Sequence, residues 1–440
     1  MRHTLVMLCL LALITLPAAA QDQDDDQLET PIVVTDATGQ TVTITDLSRI
    51  VTIGGPVTEI VFELGMGDNI IAVDESSIYP PAAEELPHIG YIRFLSAEPI
   101  LSYNPSLIIT TTDAGPVETL EQLSTAGATV LVAPAEDTLE GAEDKIRVVA
   151  AGIGRAEEGE ALIAEMRTDI ERAQALTDTI EARPRVLFVF AGSNIALGVL
   201  GRDSGGNEML ELARVENAVT QAQSYIPLSA EAIVNAAPDI ILTTTLSIQR
   251  VGGYEAFLAL PGIALTPAAQ NGRIVYEGMD DLYLLGFTPR LGEAILDLTY
   301  LLHEDLPRSA AVVTRLNAEL QLFENALEAA DLEITLNSGG PYTVFAPFDG
   351  AFDADRQLPG DPATYIVEGR YSLDDLSALD GQSLETLAGT TIDITLDESG
   401  VVVLNGSARI SGADQPGENG IVHTLDSFLP PVDEAEAAAR

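Results

Sequence analysis

An internal repeat constrains this chain more than any other feature. The string Leu95-Ser-Ala-Glu-Pro-Ile-Leu-Ser-Tyr-Asn-Pro-Ser-Leu-Ile-Ile-Thr-Thr-Thr112 returns as Leu228-Ser-Ala-Glu-Ala-Ile-Val-Asn-Ala-Ala-Pro-Asp-Ile-Ile-Leu-Thr-Thr-Thr245. In each copy a serine is placed to cap a helix, a proline (Pro105, Pro238) ends it, and an apolar run then supplies a buried strand. A weaker echo precedes each copy. Gly54-Gly55 leads into Glu59-Ile-Val-Phe-Glu-Leu, and Gly205-Gly206 leads into Glu208-Met-Leu-Glu-Leu. Repetition on this scale predicts two similar lobes.

Around the first copy, strand patterns (Ile50–Ile53, Ile70–Val73, Leu107–Thr110, Thr129–Val132) alternate with helical ones (Thr58–Leu64, Ala97–Ser102, Gly115–Ala126). Such alternation predicts an α/β domain with a largely parallel sheet. Before it, Pro31–Asp36 and Gln40–Thr45 flank Gly39 as a hairpin. Between the lobes, Glu157–Thr179 lacks proline and places Leu162, Met166, Ile170 and Ala173 on one stripe, which predicts a long bridging helix. The expected boundaries are 31–155 for the first lobe, 156–182 for the bridge and 183–303 for the second lobe. A linker over 304–315 then leads to a third domain over 316–432, with a tail over 433–440. Ala310–Ala330 reads as helix, and short strands and turns follow it.

The first twenty residues read as a secretory signal peptide cleaved before Gln21, followed by a polar leader over 21–30. The one cysteine, Cys9, lies inside the apolar run of that signal, so a lipid anchor is not expected and the mature chain has no thiol chemistry. With 68 acidic against 21 basic residues the formal charge is −47, which excludes nucleic acid as partner and makes each arginine informative about anionic ligands. No nucleotide-binding loop, nucleophile elbow or metalloprotease motif is present, so an enzyme is not expected.

The stretch Ile50–Leu302 resembles the substrate-binding proteins of ABC importers for heme, siderophores and cobalamin. That resemblance implies two Rossmann-like lobes joined by a single long helix. The strings Tyr79-Pro-Pro-Ala-Ala, Gly90-Tyr91-Ile-Arg93-Phe-Leu-Ser-Ala-Glu98, Gly201-Arg202-Asp-Ser-Gly-Gly and Leu282-Tyr-Leu-Leu-Gly-Phe-Thr-Pro-Arg290 are most similar to the hemin-binding branch. The resemblance implies that Tyr91 is the axial ligand of a heme iron carried as cargo. A phenol ordinarily titrates near 10, and Arg93, two residues on, is placed to favour its phenolate. Arg202, Tyr225 and Arg290 are candidates for the opposite wall and the heme propionates. Some hemin binders add a histidine from the second lobe; Ala191-Gly-Ser-Asn-Ile contains none. Of the mature chain's histidines, His88 reads as a surface loop residue.

Glu98 and Glu231 hold identical places in the two repeats. In the family such a pair docks on arginines of the membrane permease; both also suit the first turn of a helix. The third domain resembles a fasciclin domain, an α+β fold, through Gly339–Phe352 and Asn419–Pro431, and its His423 is expected to fix a hydrogen bond in the core. By family analogy alone, this domain implies a surface or glycan partner. Two other functions remain open: binding of a ferric siderophore or cobalamin on the same fold, and adhesion through the fasciclin domain.

Overall fold

The computed structural model describes residues 27–191, 197–221, 223–352 and 357–430. The expected signal peptide, the first part of the leader, the stretch after Ala191 and the tail lie outside the described residues. Strands β1 (Gln27–Thr35) and β2 (Thr41–Asp46) form the predicted hairpin, with Val34 opposite Val42 and Gly39 in the turn at φ +80°. The leader is shorter than expected, because Gln27–Thr30 belong to β1 and Gln27 lies opposite Asp46. Strand pairing satisfies the backbone whatever the polarity of the side chains.

The first lobe continues through β3 (Ile50–Thr52), α1 (Gly55–Glu63), β4 (Ile70–Val73), α2 (Pro81–Glu84), α3 (Ala97–Ser102), β5 (Leu107–Thr111), α4 (Val117–Thr125), β6 (Val130–Ala133) and α5 (Leu139–Gly152). Its strands make a parallel sheet in the order β4-β3-β5-β6. The bridge is α6 (Ala156–Thr177), 22 residues long. Its buried stripe runs through Gly159, Ile163, Met166, Ile170, Ala173 and Thr177, so Ile163 takes the place expected of Leu162.

The second lobe comprises β7 (Arg185–Phe190), β8 (Gly198–Leu200), α7 (Gly205–Leu212), β9 (Glu216–Asn217), β10 (Tyr225–Pro227), α8 (Ala230–Ala236) and β11 (Ile240–Leu242). It is completed by α9 (Thr245–Arg250), α10 (Tyr254–Leu258), α11 (Pro267–Gln270), β12 (Ile274–Val275), α12 (Asp281–Leu285) and α13 (Leu291–Leu302). Strands β9, β7, β11 and β12 run parallel; β8 and β10 add antiparallel pairs, so this sheet is mixed. The repeat folds into matching units, α3–β5 and α8–β11. Proline keeps the residue before it out of the helical conformation, and Asn104 and Ala237, at equivalent places, both turn left-handed there (φ 49° and 40°).

One apolar core runs through both lobes and the bridge, from Ile50 and Val57 through Met166 and Ile170 to Phe188, Phe287 and Leu298. Glycines let the bridge sit close on both sides. A Cβ at Gly159 would lie 2.5 Å from Ala150 Cβ of α5, and one at Gly292 would lie 2.4 Å from the Met166 carbonyl. A helix packed so tightly against both lobes makes a stiff connection rather than a hinge.

The third domain begins earlier than the expected linker allows. Helix α14 (Ala310–Arg315) buries Ala310 and Ala311 in that domain's core, so the connection ends at Ser309, whose side chain caps α14. The single helix expected over Ala310–Ala330 is broken into α14 and α15 (Gln321–Ala329), because Asn317 Oδ1 accepts from Glu319 N at 3.0 Å and offers the backbone a turn instead. Helix α16 (Leu332–Ser338) follows, then β13 (Tyr342–Pro347), β14 (Ile366–Glu368), α17 (Leu373–Ala378), β15 (Gln382–Glu385), β16 (Thr391–Leu396), β17 (Val402–Leu404), β18 (Ala408–Gly417) and β19 (Gly420–Leu425). The sheet order is β14-β13-β19-β18-β17-β16-β15. His423 is fully buried there, facing the Tyr371 carbonyl at 2.8 Å with Nε2 and accepting from Asp414 N with Nδ1, as expected for a core histidine. No helix among the described residues is long and apolar enough to cross a membrane.

Candidate ligand-binding cleft

In open α/β sheets the loops beyond the carboxyl ends of the strands hold ligands, and here those loops carry the contacts between the lobes. Gly55, at the start of α1, meets Leu282 of α12; a Cβ on it would lie 2.9 Å from Leu282 Cδ1 and 2.5 Å from the Ser76 carbonyl. Arg290 reaches across with a bidentate pair, Nε to Glu59 Oε1 at 3.1 Å and Nη2 to Glu59 Oε2 at 3.0 Å. Its guanidinium also stacks 3.5 Å over the Tyr79 ring. Lys145 of α5 donates to the carbonyls of Gly286 (3.1 Å) and Phe287 (3.3 Å). Burial lowers its pKa to about 8, against the pull of Asp137 and Asp113.

Tyr91 lies half-buried on the loop between α2 and α3. That loop is laced to the end of β4: Ile89 N donates to the Val73 carbonyl at 2.9 Å, Glu75 N to the Gly90 carbonyl at 3.0 Å, and Ile92 N to Asp74 Oδ2 at 3.2 Å. Gly90 permits the bend at φ +101°. The ring of Phe94 is centred 6.1 Å from that of Tyr91 and is 68% exposed. Behind Tyr91, the Ile92 side chain packs at Gly54, next to the Gly55–Leu282 contact.

The other expected site residues divide. Arg93 stays on the surface and pairs with Asp113 at 2.8 Å, so its charge is shared with a carboxylate. Asp113 and Asp137 lie near Lys145, and the loop bearing Arg202 reaches this cluster at Gly205, where a Cβ would lie 2.8 Å from Asp137 Cβ. Arg202 itself is exposed and forms no ion pair among the described residues. Arg290 departs from the expected free cation: Glu59, wholly buried, holds the Nε–Nη2 edge of its guanidinium. Tyr225 also departs, since its ring packs on Gly198 against the central core and its hydroxyl is buried without a hydrogen-bond partner. Burial pushes that phenol up from its ordinary pKa. His88 is exposed, as expected.

Glu98 and Glu231 are both exposed, each the second residue of its helix after Ser96 or Ser229. That place favours the helix dipole but is one residue short of a capping box. A cavity of about 480 Å³ opens beside Glu231, lined by Leu187, Val199, Ile226 and Ile233; no residue of the Tyr91 loop borders it. Among the described residues no cluster of three or more His, Cys, Asp and Glu suits a metal ion.

Glu59, Asp74 and Lys145 were not singled out from the sequence. Glu59 carried a signal, a lone carboxylate on the buried face of an otherwise apolar helix. Lys145 and Asp74 look like ordinary polar residues until the fold buries them.

The profile of the family described as periplasmic binding protein matches residues 50–280. The chain belongs to that family. A fasciclin domain profile matches residues 318–431. The periplasmic heme-binding protein RhuT from Roseiflexus sp. RS-1, in apo form, is 40% identical; the match covers 58% of this chain and 98% of that one, with a TM-score of 0.56. A periplasmic heme-binding protein from Pseudomonas aeruginosa is 30% identical over 59% of this chain and 94% of that one, with a TM-score of 0.54. A cobalamin-binding protein of Halobacterium salinarum is 27% identical over 291 residues, 62% of this chain and 77% of its own length. The chain is thus a periplasmic binding protein of ABC importers, extended by a fasciclin domain.

Proposed function

We propose that this protein captures heme between its two lobes, with Tyr91 as the iron ligand, and delivers it to an ABC permease through Glu98 and Glu231. It acts as an exported binding protein, not an enzyme. The observation that carries the reading is the setting of Tyr91. A phenol on a tied-down loop of the first lobe, one residue before Ile92 at Gly54 beside the Gly55–Leu282 contact, with an exposed aromatic ring next to it, suits a flat apolar macrocycle bearing a hard ferric centre. Arg202 supplies a cation for the propionates in an otherwise acidic protein. The heme-binding relative from Roseiflexus at 40% identity supports this ligand over cobalamin, whose binder from Halobacterium salinarum stands at 27%.

The test is an absorption titration of the protein with ferric hemin, and in parallel with cyanocobalamin, on wild type and Tyr91→Ala. The expected result is saturable hemin binding with a phenolate-type ferric spectrum that the mutant loses. Saturable cobalamin binding with no hemin response would replace heme by cobalamin on the same fold.

A further inference from the structure

Asp74 is fully buried and accepts from five donors drawn from three segments. Oδ1 takes Gly54 N at 2.8 Å and Ser77 Oγ at 2.9 Å; Oδ2 takes Ser76 N at 3.0 Å and Ile92 N at 3.2 Å; Ser76 Oγ lies within 3.0 Å of both oxygens. Ser76 Oγ in turn accepts from Gly55 N at 3.0 Å. One carboxylate therefore joins the start of α1, which meets the second lobe at Leu282, to the backbone of the residue after Tyr91. Only a carboxylate has the acceptor capacity for this task without offering a hydrogen of its own.

We infer that Asp74 is a positioning residue for the iron ligand: it fixes the Tyr91 loop in register with the lobe junction, so that the phenol is presented ready for the metal. The inference rests on the heme reading of Tyr91. An isosteric amide cannot do the same work. With its NH2 on the Oδ2 side it confronts the Ser76 and Ile92 amides, and flipped it confronts the Gly54 amide, so either way a buried backbone donor loses its acceptor. A ligand held by a loosened loop is bound less tightly because ordering the loop is then charged to binding.

The experiment compares the full chain with Asp74→Asn and Ser76→Ala in hemin titrations. Ser76→Ala disturbs the same cluster but leaves the Asp74–Ile92 bond, so it controls for a merely structural effect. The expected result for Asp74→Asn is a weakened phenolate-type spectrum and a dissociation constant raised roughly tenfold, about the cost of one unsatisfied buried donor. Ser76→Ala is expected to keep the wild-type spectrum. A wild-type spectrum and affinity in Asp74→Asn would overturn the inference, as would an equal loss in both variants. Should Asp74→Asn not fold, amide hydrogen exchange on the unmutated chain decides: an Ile92 amide as protected as those of Gly54 and Ser76 upholds the tie, and rapid exchange overturns it. If Tyr91→Ala instead leaves the hemin spectrum intact, the heme-ligand reading fails, while the exchange measurement still judges Asp74's hold on the loop.

Discussion

Arg315, in the first helix of the fasciclin domain, places Nε 2.7 Å from Asp297 Oδ1 in the last helix of the binding lobes; Asp297 is buried and Arg315 nearly so. The Tyr283 hydroxyl donates to the other oxygen of Asp297 at 2.7 Å, and the Tyr283 ring lies 5.0 Å from the Arg290 guanidinium that clasps Glu59. Buried charge thus runs from the third domain to the junction of the two lobes. The third domain is joined to the binding lobes by this contact as well as by the chain. Arg315→Met in the full chain leaves Asp297 buried without its countercharge and is expected to cost about 3–5 kcal/mol. Arg315→Met with Asp297→Asn should recover most of that loss. Denaturant unfolding of the two variants and wild type measures both.

The same junction sets a pH dependence. Burial pushes Glu293 up to about 8; Asp297 adds to the shift while Arg290 and Arg315 oppose it. An unfolded glutamate titrates near 4.3. Between those values the folded chain holds a proton that the unfolded chain has released, so this group's contribution to stability falls as pH rises from about 4.5 to 8. Thermal melting across that range should show the decline, and Glu293→Gln should flatten it.

At Gly55 the backbone of the first lobe lies against the Leu282 side chain of the second. Gly55→Ala puts a methyl group into the Ser76 carbonyl and Leu282, which a helix start cannot evade without moving. The expected outcome is a loss of about 1–3 kcal/mol by overpacking, read by denaturant unfolding, with faster amide exchange at Ser76 and Leu282.

Glu98 and Glu231 project from matching helices of the two lobes and lie apart from the buried junction. Charge reversal at both, Glu98→Arg with Glu231→Arg, is expected to leave hemin affinity and melting temperature within error and to abolish import by the permease. A transport assay in reconstituted vesicles, run beside the binding titration, checks it; unimpaired transport refutes the docking role.

Much of the architecture was legible in the sequence because it rests on local periodicity. The duplicated string placed α3–β5 and α8–β11, proline-bounded helices ended where steric exclusion requires, and the proline-free run Glu157–Thr179 became α6 within two residues at either end. Motif strings placed Tyr91 on a loop and Glu98 and Glu231 on exposed first turns. The linker failed the same reading. Ala310–Arg315 looks like the start of a long helix, and only Asn317's turn and the burial of Ala310 and Ala311 reveal a separate helix inside the third domain.

By itself the sequence determined two repeated α/β lobes, a bridging helix, an appended domain and a tyrosine in a heme-type string, since each follows from a chemical pattern between near neighbours. Only the tertiary structure decided where the charges go. It paired Arg290 with Glu59 and packed a half-buried Tyr225 against the core, and it made Asp74, Lys145 and Arg315 into connectors. A charged side chain's role depends on which opposite charge or backbone group becomes buried beside it. Those partners lie 231 residues away for Arg290 and about 141 for Lys145, beyond the reach of any local pattern.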